Sequence, residues 1–545
     1  MTTQEFRDLC QNVQSGKSIF LRTGERFDVW SDNTLCVYGY HFSNTASSEE
    51  NPKGYRPVLI YMKDKKNVVI DGNGALIVVH GIMTPFIFDG CENTTFRNFT
   101  IDYARPTMSE FTILENDGKG NCVIKIAADS LYDVCGNNLV WHGERGRNGN
   151  WLWESGYRDF MSLSMSKDPK TEWVQMMGSA PDCRFPCVPA FEKIEELGGN
   201  VLKVRLCDPN AFFPVGHTVQ TRNTVRDQIG GAFVRCRNVL CENLTIHAMH
   251  GLGLLSQYCD TVTFRNLNIT PSEGRTVASN ADFFQVSGCK GLVTIENCVC
   301  SDGHDDFVNV HGTHLKIEEK QGKKIKVCFV ETHSRGFCPF LAGDQIDFID
   351  SRTLLPYGGA LVLDVKMLND MEFLLALDAE PDIKSGDVVE NATWTPEVLI
   401  RNNRFGPSTG RGILCTTRRK VVIENNLFYK TGGNVLCIED DCNFWYESGY
   451  TENVSFCNNT VDGCGYGSLG AGHVPVILVN PQVMEKGQEI YVHKKIAVEN
   501  NVFRNLPDES YRAVIKYTEK FIFKGNRSDK AIRLETFCVK DTETE

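Results

Sequence analysis

A short phrase recurs through the 545 residues of this chain: apolar positions, a polar one, an asparagine, then apolar positions again. It reads FRNFTI around Asn98, CENLTI around Asn243, FRNLNI around Asn266 and IENCVC around Asn297. It returns as IRNNRF at Asn402, IENNLF at Asn425, FCNNTV at Asn458 and VENNVF at Asn500. Two of the intervals are 23 residues, and others stretch to 31, 33 and 42. A period that tolerates insertions is what stacked coils produce. Val, Ile, Phe and Thr alternate with polar residues in runs too short for helices. Asparagine enters the left-handed backbone region more readily than most residues. One per coil therefore suits a sharp turn between two sheet faces, with side-chain amides hydrogen-bonding along the axis. The pattern predicts an all-β chain, a right-handed parallel β-helix, whose repeated asparagines are structural.

The period is interrupted twice. Residues 1–66 read as an N-terminal cap and lead-in, with Phe6, Leu9, Cys10 and Val13 at the spacing of a short amphipathic helix over 3–13 that covers an open sheet edge. First coils run over 67–104, starting at VVIDGNG, and central coils over 226–312. Between them, residues 105–225 mix short strands such as VLKVRL with the Trp- and Gly-rich HGERGRNGNWLWESG. A second excursion covers 313–390, C-terminal coils 391–530, and a tail 531–545. FFPVGHTVQTRN in the first excursion resembles FCPFLAGDQIDFID in the other, and each excursion predicts a small inserted β-barrel or sandwich. Such insertions lie on one face, often the binding face, so the two would wall a cleft beside the central coils.

Charge and composition narrow the function classes. The net charge is −12 and no basic stripe or tail is visible, which argues against nucleic acid as partner. No apolar run spans a membrane, and the start, MTTQEFRDLCQNVQSGKSIF, has no apolar signal core. A cytoplasmic place is the simpler expectation, and a chain whose signal had been removed, extracellular or periplasmic, would read the same. The 22 cysteines form no zinc-like CxxC pair, and Cys241, Cys298, Cys300 and Cys457 sit at apolar repeat positions. No metal and no cofactor is expected; a homodimer is one of the assembly states left open.

Asp305 and Asp306, in SDGHDDFVNVHG, follow Asp282, in SNADFFQ. The 23 residues from Asp282 to Asp305 equal the period of the repeat, so the acids are expected side by side on adjacent rungs ~4.8 Å apart. Neighbouring strand residues face opposite ways, so exposing both Asp305 and Asp306 needs a turn or bulge near Gly303 and His304. Clustered carboxylates repel, which keeps one protonated as an acid while the others activate water. Most Asp-Asp pairs are solvated turn residues. Here the flanking Phe283 and Phe284, the matching interval, and Asn309, His311 and Gly312 just downstream favour a site. A second group has Arg411 in STGRGIL and Glu439, Asp440 and Asp441 ahead of Phe444, Trp445, Tyr446 and Glu447. Aromatics beside carboxylates suit a sugar; core aromatics with a salt bridge explain them equally. His247 and His250, one coil before Asp282, either line the cleft or are satisfied core histidines.

The runs RDQIGGAFV, IHAMHGLGLLSQ, GRTVASNADFFQVSGCKGLVTIEN and HDDFVNVHG resemble glycoside hydrolase family 110, the bacterial α-1,3-galactosidases. The similarity extends to IDGNGALIVVHGIMTPFIFDG and NFTIDYARP upstream and DDCNFWYESG downstream, about residues 60 to 460. It implies a β-helix with inserted barrels. It also implies inverting hydrolysis that releases terminal α-1,3-linked galactose from glycans of blood-group-B or linear α-galactosyl type. Carried over by position, the acids fall on Asp282, Asp305 and Asp306, with Asp305 as general acid and the other two holding and activating water. His250, Asn309, His311, Arg411, Glu439, Trp445 and Glu447 are the candidate sugar-binding residues. Many members carry an export signal and none is visible in this sequence, and IEDDCNFW is more acidic than the family leads one to expect. Polygalacturonase-like hydrolases use a similar trio, so another sugar linkage stays open. A β-helix lyase or epimerase is a further rival, and it would need a basic group that the sequence does not place close to Asp282 and Asp305. A non-catalytic glycan-binding β-helix is the third.

Overall fold

The computed structural model describes residues 1–178, 187–467, 473–485 and 489–545. It is a parallel β-helix: 30 strands of the described residues join one sheet system in which successive coils pair parallel. A ten-residue helix, Thr3–Asn12, closes the N-terminal end. Its Thr2–Glu5 capping box satisfies two free N–H groups of the first turn, and Phe6 and Cys10 plug the end of the core. Leu9, expected on the same stripe, is instead 40% exposed. No described helix is long and apolar enough to cross a membrane, and no disulfide joins the described cysteines.

Every asparagine of the repeat takes the left-handed conformation, with φ between 53° and 62° from Asn98 to Asn500. The amide ladder runs in two places rather than one. In the early coils it lies on these turn residues: Asn266 Nδ2 donates to Asn243 Oδ1, and Asn243 Nδ2 to Asn98 Oδ1, both at 3.1 Å. Farther on it moves one residue inward, to Asn403, Asn426, Asn459 and Asn501, all buried. Each oxygen from Asn426 onward accepts both the backbone N–H and the Nδ2 of the preceding coil's asparagine, as Asn459 Oδ1 does from Asn426 at 2.9 and 3.0 Å. The inward position holds Phe99, Leu244, Leu267 and Cys298 in the earlier coils, so the doubled NN of the later phrases marks the change.

Inside, aromatic rings meet in a row from coil to coil, stacked or tilted: Phe283, Phe307, Phe405, Phe428 and Phe456 have successive centroids 5.0, 5.1, 5.6 and 5.8 Å apart. The first excursion forms a seven-stranded antiparallel sheet and a three-stranded sheet sharing one core around Phe111, Trp141, Tyr157 and Phe191. The second is a closed six-stranded barrel between Leu315 and Asn391. Residues Arg533–Thr544, read from sequence as a tail, are a strand paired parallel with Arg512–Lys524; alternating charges along it guard this last edge.

The buried ladder carries stability. Asn459→Leu strands the Asn426 N–H and the Ile423 carbonyl without partners and is expected to cost about 2–4 kcal/mol. Asn243→Gly, on the exposed ladder, is expected to change stability by less than about 1 kcal/mol. Urea midpoints of the two variants check the contrast.

Candidate active site

Register decides which acids meet. In the coil that carries them, Phe284 lies opposite Val308 and Ser279 opposite Gly303, a step of 24 residues rather than 23. The extra residue sits at a bulge by Gly291, where pairing with the previous coil slips between Asp260 and Val262. Asp282 therefore stacks on Asp306, whose carbonyl accepts the Phe283 N–H at 2.9 Å. Asp305 lies opposite Ala281, not opposite Asp282 as the 23-residue interval suggested. Asp305 and Asp306 precede the strand Val308–Thr313, in a turn begun by Asp302 at φ 62°. Ser408 Oγ donates to the carbonyls of Gly303 and Asp305, and the Asp306 N–H donates to Asp305 Oδ1 at 3.2 Å. Gly410 is required beneath the turn, because a Cβ there would lie 2.1 Å from the carbonyl carbon of Asp305.

The three carboxylates offer oxygens that all lie within 4.8 Å of one another. Asp282 and Asp306 are 4% and 1% exposed, whereas the Asp305 side chain is 24% exposed. Burial, then repulsion from Asp305 and Asp306, pushes the Asp282 pKa well above the ordinary carboxylate range. Burial and Asp306 also raise that of Asp305, against the pull of Arg226, Arg411 and Arg222.

The expectation that no basic group stands close to these acids is corrected by the fold. Arg411, one coil beyond Asp306, donates from Nε to both its oxygens at 2.9 and 3.0 Å, from Nη2 at 2.8 Å and from its backbone N–H at 2.7 Å. Arg226, just past the first insertion, reaches Asp305 at 3.1 Å. No guanidinium among the described residues pairs with Asp282. An oxygen cluster of this kind could accept a cation by geometry, but the arginines already bring positive charge to Asp305 and Asp306.

The other sequence candidates divide. Glu439 extends the Arg411 contact, 3.7 Å from Nη1, and accepts from Asn480 and Gln482. Glu447 collects Asn44 Nδ2 at 2.5 Å and Asn309 Nδ2 at 3.3 Å, with His311 at 3.7 Å. His311 donates from Nδ1 to the Gly312 carbonyl, and its Nε2 accepts from Gln285 at 2.7 Å. Trp445 and the 70% exposed Phe444 form an edge-on pair at the tip of a turn. Asp441 pins that turn by accepting four successive backbone N–H groups, from Asn443 to Tyr446, so it is a structural acid. Asp440 is fully buried near His314, and burial lifts its pKa to about 7. His250 is buried with both ring nitrogens engaged, by Asp227 at 2.8 Å and Thr107 at 2.7 Å, and His247 bonds the Thr270 carbonyl.

Sequence reasoning missed Arg226, Asn44, Asn280 and Gln285. Asn44 comes from the lead-in, which folds back to bond Glu447, Ser334 and, through its carbonyl, Arg226. Asn280, Gln285 and Asn309 each leave a buried amide oxygen without a donor. The only signal for Arg226 was its place beside Arg222 where the coils resume.

Crowding predicts a pH effect. A carboxyl whose folded pKa is raised contributes stability below its unfolded pKa and loses it as pH rises through the folded one. Asp282→Asn removes that loss. The variant should melt about 1–3 °C above the parent at pH 8, with the gap closing towards pH 4, as differential scanning calorimetry across that range would show.

Residues 324–389, within the second insertion, match the family described as GLAA-B beta-barrel domain II. Alpha-1,3-galactosidase A of Bacteroides fragilis is 33% identical over 96% of this chain and 83% of its own length. Alpha-1,3-galactosidase A of Bacteroides thetaiotaomicron is 35% identical over 89% and 82%. A solved family 28 exopolygalacturonase of Yersinia enterocolitica aligns with a TM-score of 0.35 and 10% identity, over 96% of this chain and 73% of its own. The chain belongs to glycoside hydrolase family 110, the family of the α-1,3-galactosidases.

Proposed function

We propose that this protein is an exo-acting, inverting glycoside hydrolase that releases terminal α-1,3-linked galactose from oligosaccharides or glycans. The observation that carries the chemistry is Asp282 stacked on Asp306 with Asp305 beside them, their oxygens within 4.8 Å. The linkage and sugar rest on the relatives named α-1,3-galactosidase.

Asp305 is the general acid. It is the open member of the trio, so a glycosidic oxygen can reach it, and its raised pKa keeps a proton to give. Asp282 and Asp306, in register one coil apart, hold and activate the water. The nearest oxygens of Asp305 and these two acids, within 4.8 Å, lie closer than the ~6.5–9.5 Å between acid and base in a two-carboxylate inverting enzyme, and nearer the ~5–5.5 Å of a retaining one. Inversion rests on the resemblance to family 110; Arg411 engages both oxygens of Asp306, which leaves that one acid poorly placed to attack an anomeric carbon as nucleophile. The exposed Trp445 offers a face on which a sugar ring could stack.

Proton NMR of galactosyl-α-1,3-galactose and the fucosylated B trisaccharide should show β-galactose first. Early α-galactose would retain the sugar and overturn inversion; no release from either would overturn the galactosidase reading. Asp305→Asn should lower turnover by about two to four orders of magnitude. Since no step calls on a metal, prolonged incubation with EDTA should leave the rate unchanged, and no ultraviolet-absorbing product should form from polyuronates.

A further inference from the structure

The first insertion reaches the acid-bearing turn directly. Its strands Ser162–Lys167 and Thr218–Asn223 hold the turn that presents Asp305. Lys167 Nζ pairs with Asp302 at 2.5 Å, and two residues on, His304 is gripped from the same sheet. The grip is a chain of hydrogen bonds whose donors and acceptors are all determined. Gln220 Nε2 donates to the Thr276 carbonyl at 3.0 Å, so its amide nitrogen faces Thr276 and its oxygen faces His304. A carbonyl oxygen can only accept, so His304 Nε2 carries the hydrogen across that 2.9 Å contact. His304 Nδ1 is then a bare lone pair, and Arg222 Nε donates to it at 3.3 Å.

Arg222 is thereby a buried cation bonded to a neutral ring. Among the described residues it forms no ion pair; its other bond is to the Asn223 carbonyl at 3.2 Å. The charged groups around it and the neighbouring Asp305 are Arg226, Asp282, Asp306 and Arg411. An unpaired buried guanidinium is costly and calls for a reason. Asp305 supplies one, because in the proposed reaction it alternates between neutral acid and carboxylate.

We propose that Arg222, held in place by the neutral Nε2–H form of His304, is a positioning residue that sets the charge balance of Asp305. With Arg226 it meets the negative charge that Asp305 acquires when its proton passes to the leaving oxygen. The inserted domain thus tunes an acid that the β-helix presents. This inference rests on Asp305 being the general acid, and it names Gln220, Arg222 and His304 as its determinants. Burial and Arg222 together hold the His304 ring well below its ordinary pKa, in keeping with the neutral form.

The test combines a pH profile with a spectroscopic readout that needs no turnover. Removing the cation in Arg222→Met should raise the alkaline limb of kcat/KM by on the order of one pH unit, with a lower plateau. Arg222→Lys, which keeps the charge, should leave the limb within about 0.3 unit. Equal limbs in both variants, or no movement in Arg222→Met, would overturn the proposal while leaving the galactosidase reading intact. Independently, 15N-histidine NMR, assigned with His304→Gln, should show His304 as the neutral Nε2–H tautomer throughout the pH range in which the fold persists. A His304 that titrates near pH 6.5 would overturn the proposal even in protein that releases no galactose. If both NMR and melting curves show that Arg222→Met is misfolded, Arg222→Gln replaces it, since its amide still donates to His304 Nδ1 without the charge; its alkaline limb should rise likewise, and an unmoved limb would overturn the proposal.

Discussion

Three carboxylates within 4.8 Å of one another, two of them buried, repel strongly. Much of this molecule is arranged to make that tolerable. Arg411 neutralises Asp306 from the next coil and reaches on to Glu439. Arg226 does the same for Asp305 from the junction of the first insertion. Asp282 is left without a guanidinium, and burial beside two other acids raises its pKa well above the ordinary range. The asymmetry matters chemically. Unequal compensation keeps the three carboxylates from behaving alike, since Asp305 and Asp306 each face a guanidinium and Asp282 faces none.

Division of labour between solenoid and insertions follows from the same constraint. Parallel stacking brings side chains from successive coils into contact, which a β-helix does by construction. It does not deliver a cation from the side, since each coil face is occupied by its own neighbours. Lys167, Gln220, Arg222 and Arg226 all come from the first insertion or its exit, and they meet Asp302, His304 and Asp305 in order along one turn. The second barrel and the folded-back lead-in close the other side, where Asn44 joins Ser334 to Glu447. Excising the first insertion would therefore disturb the charge around Asp305.

The β-helix was legible because its signal is local and repeated: the left-handed asparagines of the phrase each occupy the turn they foretell. The acids were legible as residues, since Asp282, Asp305 and Asp306 do converge, but their pairing was not. The 23-residue count came from asparagines in other coils, and the bulge at Gly291 is invisible to it. Arg226 and Asn44 lie about 80 and 260 residues from Asp305 along the chain, a separation across which periodicity carries no information. The buried asparagine ladder had a visible sign in the doubled NN, yet its inward shift needed the observation that the same position is Phe99, Leu244 or Cys298 elsewhere.

One extra residue thus carries consequences out of proportion to its size. Side chains alternate faces along a strand, so a slip of one residue exchanges what faces the core for what faces out. With a 23-residue step, Asp282 would face Asp305, and Phe284 would stand opposite Phe307 instead of Val308. The Phe283–Phe307–Phe405 column would then lose its alignment together with the Asp282–Asp306 contact. Core packing and acid pairing are satisfied by the same 24-residue register. The bulge at Gly291, on another face of the coil from the trio, is what lets both hold while the neighbouring faces keep their own pairing.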